Sequence, residues 1–319
     1  MKKTTKIIAL LMAVMMMALL CACGNQDNGA AKNNSEDNQN NSEDNQNNGE
    51  ANQSGQQAEA PKTPANALEQ IKADGVLTVA LSPDFTPMEF VDSSKEGQEQ
   101  YVGFDVSLAN FIAQELGVSL EIQAMNFDAC QTAVYTGSVP MAISGFSWTE
   151  DRAENYEMSD YYYAGENETE QVLLIRKDDA ETYTKAEDFA GKDVGAQVSS
   201  LQMQLVQDQL ADANPITIGT IDTGVLELKS GNIEALAVAT GNGEMICQNN
   251  PDLMVCAWKF DVKAEYEANV IIMQKGETEL LEAVNAALAK AYEAGYYGEW
   301  YEAAVELGKS AAATEVTID

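Results

Sequence analysis

Histidine is absent from the 319-residue chain. With it go Ser–His–Asp and Cys–His catalysis, imidazole-ligated zinc or haem, and every imidazole general base. Basic residues are scarce, 18 Lys and Arg against 51 Asp and Glu, which leaves a formal charge of −33. Binding nucleic acid requires clustered Lys and Arg that displace counterions from phosphate, and this chain has too few. Adhesion to anionic lipid through a basic face is excluded on the same ground. Five cysteines are too few and too scattered for a disulfide-built miniprotein, and no Cys-x-x-Cys spacing suggests zinc. The acidic residues form no EF-hand loop. No metal or cofactor is therefore expected. What is present in quantity is apolar material, 45% of residues, enough for one large domain or two modest ones.

The first residues read as an export signal, assigned to 1–22. Lys2, Lys3 and Lys6 precede an apolar run over 7–20. That run is short for a membrane-spanning helix and suited to a secretory signal. It ends in Leu20-Cys21-Ala22-Cys23-Gly24, which resembles a bacterial lipobox and implies that Cys23 is acylated and becomes the new N-terminus. Residues 23–64 form the next segment. After Cys23 it is rich in Asn, Gln, Ser, Glu and Gly, without an aromatic or branched aliphatic residue, and repeats NNSEDNQ at 33–39 and 40–46. Such a composition cannot bury a core and predicts a disordered tether. As a random coil of about 40 residues it would span roughly 35 Å.

From Ala65 the pattern becomes globular. Apolar residues at helical spacing predict helices over 67–73, 104–116 and 127–135, the second closed by Gly117. Strands are predicted at 76–81, a compact run, and at 118–123 and 139–144. A polar turn is expected to follow, through Ser147, and the pattern then restarts. Strands are predicted at 172–175, 193–197, 216–218, 235–239 and 270–273, with helices from Ser200 to about Leu210, over 221–229, and twice more after Glu277. Strands alternating with helices predict an α/β fold, and two such units suggest a ligand cleft between them.

Several stretches carry a family resemblance in order and spacing: GVLTVALSPDFTPMEF at 75–90, YVGFDVSLANFIAQELG at 101–117, SGFSWTEDR at 144–152, DFAGKDVGAQVSS at 188–200 and the closing run at 270–302. Together they resemble the solute-binding proteins of polar amino-acid ABC importers, bacterial extracellular solute-binding protein family 3. The resemblance implies a two-lobed periplasmic-binding-protein-like fold of type II. Lobe one would comprise 65–167 and 263–319 and lobe two 168–262, with crossing strands near 168–171 and 260–263. It implies a monomer on the outer face of the membrane that is held by lipid, closes on a small carboxylate-bearing solute, and delivers it to an ABC permease.

Site residues follow from the same match. Arg152 stands where the family places the arginine that clamps the ligand carboxylate. A guanidinium fork suits that task through paired charge-assisted bonds, and this chain has only one other arginine, Arg176. Its competing role is a surface pair with Glu150, Asp151 or Glu154. Ser144, Gly145, Phe146 and Ser147, just before it, would offer hydrogen bonds to carboxylate and amine, or form a plain turn. Ser199 and Ser200 open a helix whose N–H groups could meet the carboxylate, or serve only as its cap. Phe85 would stack on the ligand and Phe127 would wall it, unless either is core. Trp148 and residues 161–163 are expected to be packing or hinge residues.

Two departures from the family pattern bear on the ligand. Ser82 stands where an Asp is frequent. Ala239 stands where lobe two normally presents the Asp that holds the α-ammonium. A buried ammonium without a partner is costly. Either Asn242, Glu244 or an acid from another loop takes over, or the ligand lacks an α-amine. Cys247 and Cys256 could pair or stand as separate thiols, and Cys130 is expected in the core. A non-enzymatic capture module is the leading reading. The alternative is a cyclohexadienyl or arogenate dehydratase on the same scaffold, using Glu89, Glu166 or Glu244. A sensor ectodomain is a third class, expected to carry a following transmembrane helix that this sequence does not show.

Overall fold

A computed structural model describes residues 64–163 and 170–311. The expected signal segment, Cys23, the tether, Glu166 and part of the first crossing strand lie outside these residues. The chain opens with α1 (Ala67–Asp74), where the Asn66 side chain accepts the Glu69 N–H and Gly75 ends the helix in the left-handed region. β1 (Val76–Leu81) follows, then a hairpin of β2 (Asp84–Phe85), β3 (Glu89–Val91) and β4 (Tyr101–Val102). Next come α2 (Phe104–Leu116), β5 (Ser119–Ala124), α3 (Phe127–Tyr135), β6 (Met141–Ser147), α4 (Glu150–Asn155) and β7 (Tyr156–Met158). β8 (Gln171–Arg176), β9 (Asp193–Gln197), α5 (Leu201–Gln209), β10 (Asn214–Ile218), α6 (Ile221–Ser230), β11 (Ala235–Ala239), α7 (Thr240–Asn249) and β12 (Leu253–Lys259) make the second unit. The chain then returns with β13 (Asn269–Gln274), α8 (Thr278–Glu293) and α9 (Tyr296–Ala311).

Two five-stranded sheets result, in the orders β5-β1-β6-β13-β7 and β10-β9-β11-β8-β12. In each, four strands run one way and one, β13 or β8, runs antiparallel to both its neighbours. β13 belongs to the first sheet although it follows the second in sequence. The polypeptide therefore passes between lobes twice, and the Phe260 N–H bonds the Gln171 carbonyl where the passages meet.

Each sheet is covered on both faces, so its central strands are near-continuous apolar runs. Successive residues of β8 alternate between two clusters. Leu173 packs with Phe189, Leu205 and Ala237, and Val172 and Leu174 pack with Ile218, Leu228 and Val238. In lobe one, Leu77 and Val79 meet Phe104, Leu108 and Ile112 on one face, while Ala80 meets Phe127, Cys130 and Phe146 on the other. Each fully buried Leu, Ile or Phe contributes about 1.5–3 kcal/mol.

Three expectations are revised. Residues 144–147 are not a turn but the end of β6. Opposite β13 the register jumps between Val270 and Ile272, and Gly145, at φ +55°, absorbs the bulge. Helix α7 was not anticipated, because Thr240-Gly241-Asn242-Gly243 has poor helix propensity. Tertiary packing overrides that, with Met245 buried and Gly243 against Val238 and Leu174. Cys247 and Cys256 are both free. Cys256 belongs to one face of the second sheet and Cys247 packs on the other, so the sheet separates them.

Candidate functional site

The cavity between the lobes forms where strands of both sheets end, as open α/β sheets dictate. Lobe one contributes Asp84 and Phe85 of β2, Glu89 of β3, Phe127 at the start of α3, and Ser144 and Gly145 of the β6 bulge. Lobe two contributes Gln197 at the end of β9, Ser200 and Gln202 around the start of α5, Ile221 at the start of α6, and Ala237, Val238 and Ala239 of β11. The cavity is narrow, with a volume of about 30 Å³.

Of the residues singled out from sequence, Phe85, Glu89, Phe127, Ser144, Gly145 and Ser200 line this cavity, whereas Arg152 and Ser199 line an adjoining groove that shares Ser200, and Ser147 lines neither. Phe146 is fully buried, stacked on Phe127 at 4.7 Å between centroids. Ser82 is buried beside the cavity. Its hydroxyl donates to Asp84 Oδ1 at 2.8 Å and its N–H to Ser144 Oγ at 3.0 Å. Asn242 lines a separate groove along the lobe junction, and its amide donates to the Thr86 carbonyl across that junction at 2.9 Å. Glu244 is exposed on α7 and outside the cavity. Sequence reasoning passed over Asp84, Gln197, Gln202 and Ile221. Their signal was position: Asp84 lies just beyond β1, and Gln197 closes β9.

Arg152 is 3% exposed, although it sits on a short helix among acids. Its Nη1 donates to the Ser147 carbonyl at 2.7 Å and its Nη2 to the Ser199 carbonyl at 2.8 Å. Nε reaches Gln131 Oε1 at 3.3 Å. Ser147 belongs to lobe one and Ser199 to lobe two, so the guanidinium ties the lobes together. It stacks 5.6 Å from the Phe127 centroid and 5.5 Å from that of Phe146. Among the described residues no carboxylate forms an ion pair with it. The competing surface pairing with Glu150, Asp151 or Glu154 is therefore not made among the described residues. Burial pulls its pKa down to about 10, which leaves it charged at neutral pH. Ser199 adopts φ +60°, a conformation that costs a non-glycine residue about 1–3 kcal/mol. Ser200 caps α5, its Oγ accepting the Met203 N–H at 3.1 Å.

The opposite charge is also present. Asp84 Oδ2 accepts the Ile221 N–H at 2.7 Å and Gln197 Nε2 at 3.1 Å, so a lobe-one carboxylate caps a lobe-two helix. Burial raises the Asp84 pKa, while the Ile221 N–H and the Ser82 hydroxyl oppose the rise. Behind it, Glu89 and Asp105 are both fully buried. Ser144 Oγ donates to Glu89 Oε1 at 2.6 Å, and the Gly145 N–H and Tyr162 hydroxyl donate to Asp105 Oδ2 at 2.9 and 3.0 Å. Glu89 Oε2 and Asp105 Oδ1 have no other donor among protein groups, and a proton on Glu89 bonds Asp105. Burial, reinforced by the Asp105 charge, pushes Glu89 well up, and Asp105 itself rises to about 6 through burial. Two carboxylates so placed cannot both ionise cheaply, and Glu89 is the one held as the neutral acid. Among the described residues, no group of three or more Asp, Glu or Cys is arranged to hold a metal ion.

This two-sheet frame, with a binding cavity at its strand ends, has clear relatives. Residues 77–305 match the family of bacterial extracellular solute-binding proteins, family 3. The chain belongs to that family. The arginine-binding extracellular protein ArtP of Bacillus subtilis is 30% identical over 221 residues, covering 69% of this chain and 82% of ArtP. Among solved structures, the amino-acid ABC transporter substrate-binding protein AbpA of Streptococcus pneumoniae, bound to L-arginine, superposes with a TM-score of 0.69. It is 35% identical and covers 75% of this chain and 98% of its own. The arginine-bound form of truncated ArgBP from T. maritima gives a TM-score of 0.61 at 32% identity, covering 70% and 99%. The family is one of solute-binding proteins, and AbpA is an ABC transporter substrate-binding protein, which makes this chain a solute-binding protein of the two-lobed periplasmic type.

Proposed function

We propose that this member captures a small α-amino carboxylate of the arginine type outside the cell and delivers it to an ABC permease. One observation carries the reading: Arg152 is buried between the lobes, charged, and without a carboxylate partner. A buried guanidinium in that condition favours an anion, and a ligand carboxylate is the anion a solute-binding protein meets. The names of the relatives supply the arginine type. Ser144, Gly145 and Ser147 on the β6 bulge, with Ser199 and Ser200 at the start of α5, would complete the carboxylate subsite. Phe85 and Phe127 would wall the ligand, Ser82 would hold Asp84, and Asn242 would help hold the lobes together.

The lobes would pivot about the two passages near 168–171 and 260–263. The narrow cavity admits a solute only if they part, and Arg152, Asp84 and Asn242 each bond across the junction when they meet. Ligand then favours the closed form by touching both sides. The protein would work as a monomer anchored through acylated Cys23. Calorimetry of the purified head with L-arginine and the other amino acids tests capture. Absence of heat and of any rise in melting temperature with every one of them refutes it. Cys23→Ala tests anchoring: the variant should leave the membrane fraction, and retention there would count against the lipid.

A further inference from the structure

The wall formed by β11 ends in Ala237, Val238 and Ala239, none of which can meet an ammonium group. The cavity nevertheless contains two acids, both on lobe one, and no basic side chain lines it. We propose that Asp84 replaces the carboxylate that Ala239 lacks, so that Asp84 is the residue selecting ligands that carry an α-ammonium. This rests on the capture reading above.

Four observations single out Asp84. Asn242 is committed to the Thr86 carbonyl, and Glu244 faces solvent, so neither of the substitutes on α7 is available. Glu89 has its spare oxygen beside Asp105, and burial holds it as the neutral acid, a poor partner for a cation. Asp84, by contrast, receives three donors, Ser82 Oγ, Gln197 Nε2 and the Ile221 N–H, each of which favours the ionised form. A carboxylate offers about four lone-pair directions, so one remains for a ligand. The fourth observation is the start of α6. Its N-terminal end supports a negative charge at Asp84, and an arriving ammonium adds the counter-charge that offsets burial and the nearby Asp222.

Asp84 therefore does two things with one carboxylate. It fixes lobe two through Ile221 and Gln197, and it reads the amine. An acid on lobe two would instead be brought to the amine by closure itself. Arg152 lines the adjoining groove, which shares Ser200 with the cavity, so the ligand carboxylate would sit where the two meet and the ammonium at Asp84, and lobe two closes over them with neutral polar groups.

The test uses L-arginine and its desamino analogue δ-guanidinovalerate, titrated calorimetrically into wild type, Asp84→Asn, and Asp84→Asn combined with Ala239→Asp. Wild type should prefer arginine by about 30-fold or more, the loss typical when a buried charge is left unpaired. Asp84→Asn should bring the ratio close to one, and the added Ala239→Asp should restore it. A purely structural role for Asp84 would weaken both ligands equally and leave the ratio unchanged, which overturns the proposal. So does a wild type that binds the two compounds equally, although carboxylate capture then stands. A wild type that binds neither overturns the arginine reading itself, and shows this before any variant is made. Melting temperatures of the unliganded variants identify any that fail to fold.

Discussion

Replacing Arg152 with Ala is the sharpest perturbation of this site. The guanidinium uses three of its donors on Ser147, Ser199 and Gln131 and rests against Phe127 and Phe146. Each charge-assisted hydrogen bond to a ligand carboxylate is worth about 1.5–3 kcal/mol. Two of them give about 3–6 kcal/mol, or about 10²–10⁴-fold in Kd. Stability without ligand follows different arithmetic. Truncation strands the Ser147 and Ser199 carbonyls at about 1–3 kcal/mol each, but it also removes a charge buried without a counter-charge, which costs several kcal/mol. These terms oppose one another, so the melting temperature of the unliganded protein should move by only a few degrees for about 1 kcal/mol of net change. The rise in melting temperature on adding L-arginine should disappear. Arg152→Lys keeps a charge but loses the planar fork, and should bind with intermediate affinity. A Kd for Arg152→Ala within about fivefold of wild type, where about 10²-fold or more is expected, would refute the carboxylate clamp.

Other perturbations have equally definite outcomes. Glu89 and Asp105 have folded pKa values above their unfolded ones, so the folded state binds extra protons. Their contribution to stability is complete below about pH 4 and lost as pH rises through about 6 for Asp105. The melting temperature of the unliganded protein should therefore climb as pH falls from 7.5 toward 5.5, by scanning calorimetry, with a shallower climb in Glu89→Gln. A variant with an unaltered slope would show that surface acids alone account for it. At Gly145, φ is +55° and an added Cβ would stand 2.8 Å from Phe85 Cε1. Gly145→Ala should destabilise the fold by about 1–2 kcal/mol and weaken ligand binding, measured by thermal melts and calorimetry. Asn242→Asp turns the donor facing the Thr86 carbonyl into a carboxylate, which opposes lobe closure. Affinity should fall about tenfold while the unliganded melting temperature changes little, and unchanged affinity would remove Asn242 from the closing contacts.

Much of the scaffold was legible in the sequence because its signals are local. Apolar spacing in α2 and the left-handed Gly117 after it require no distant information. The near-continuous apolar runs of β1 and β11 marked strands covered on both faces, and Ser200 marked the start of α5. Helix α7 was missed for the converse reason: its first residues are poor helix formers, and only packing against β11 and β8 holds them. The extension of β6 through Ser147 was missed because the antiparallel partner that stabilises it, β13, lies more than a hundred residues away.

The sequence alone determined the charge balance, the absence of imidazole chemistry, the order of the main strands and helices apart from α7, and the arginine that the family resemblance marks. Tertiary structure decided what surrounds that arginine. Glu150, Asp151 and Glu154 flank it in sequence, but the fold turns the guanidinium toward Ser199, supplied from the other lobe. It also placed Asp84 against α6 and committed Asn242 to Thr86. Those pairings depend on how two sheets meet across a junction. Among the described residues those side chains come from segments far apart in the chain, so no run of neighbouring residues encodes which will face one another there.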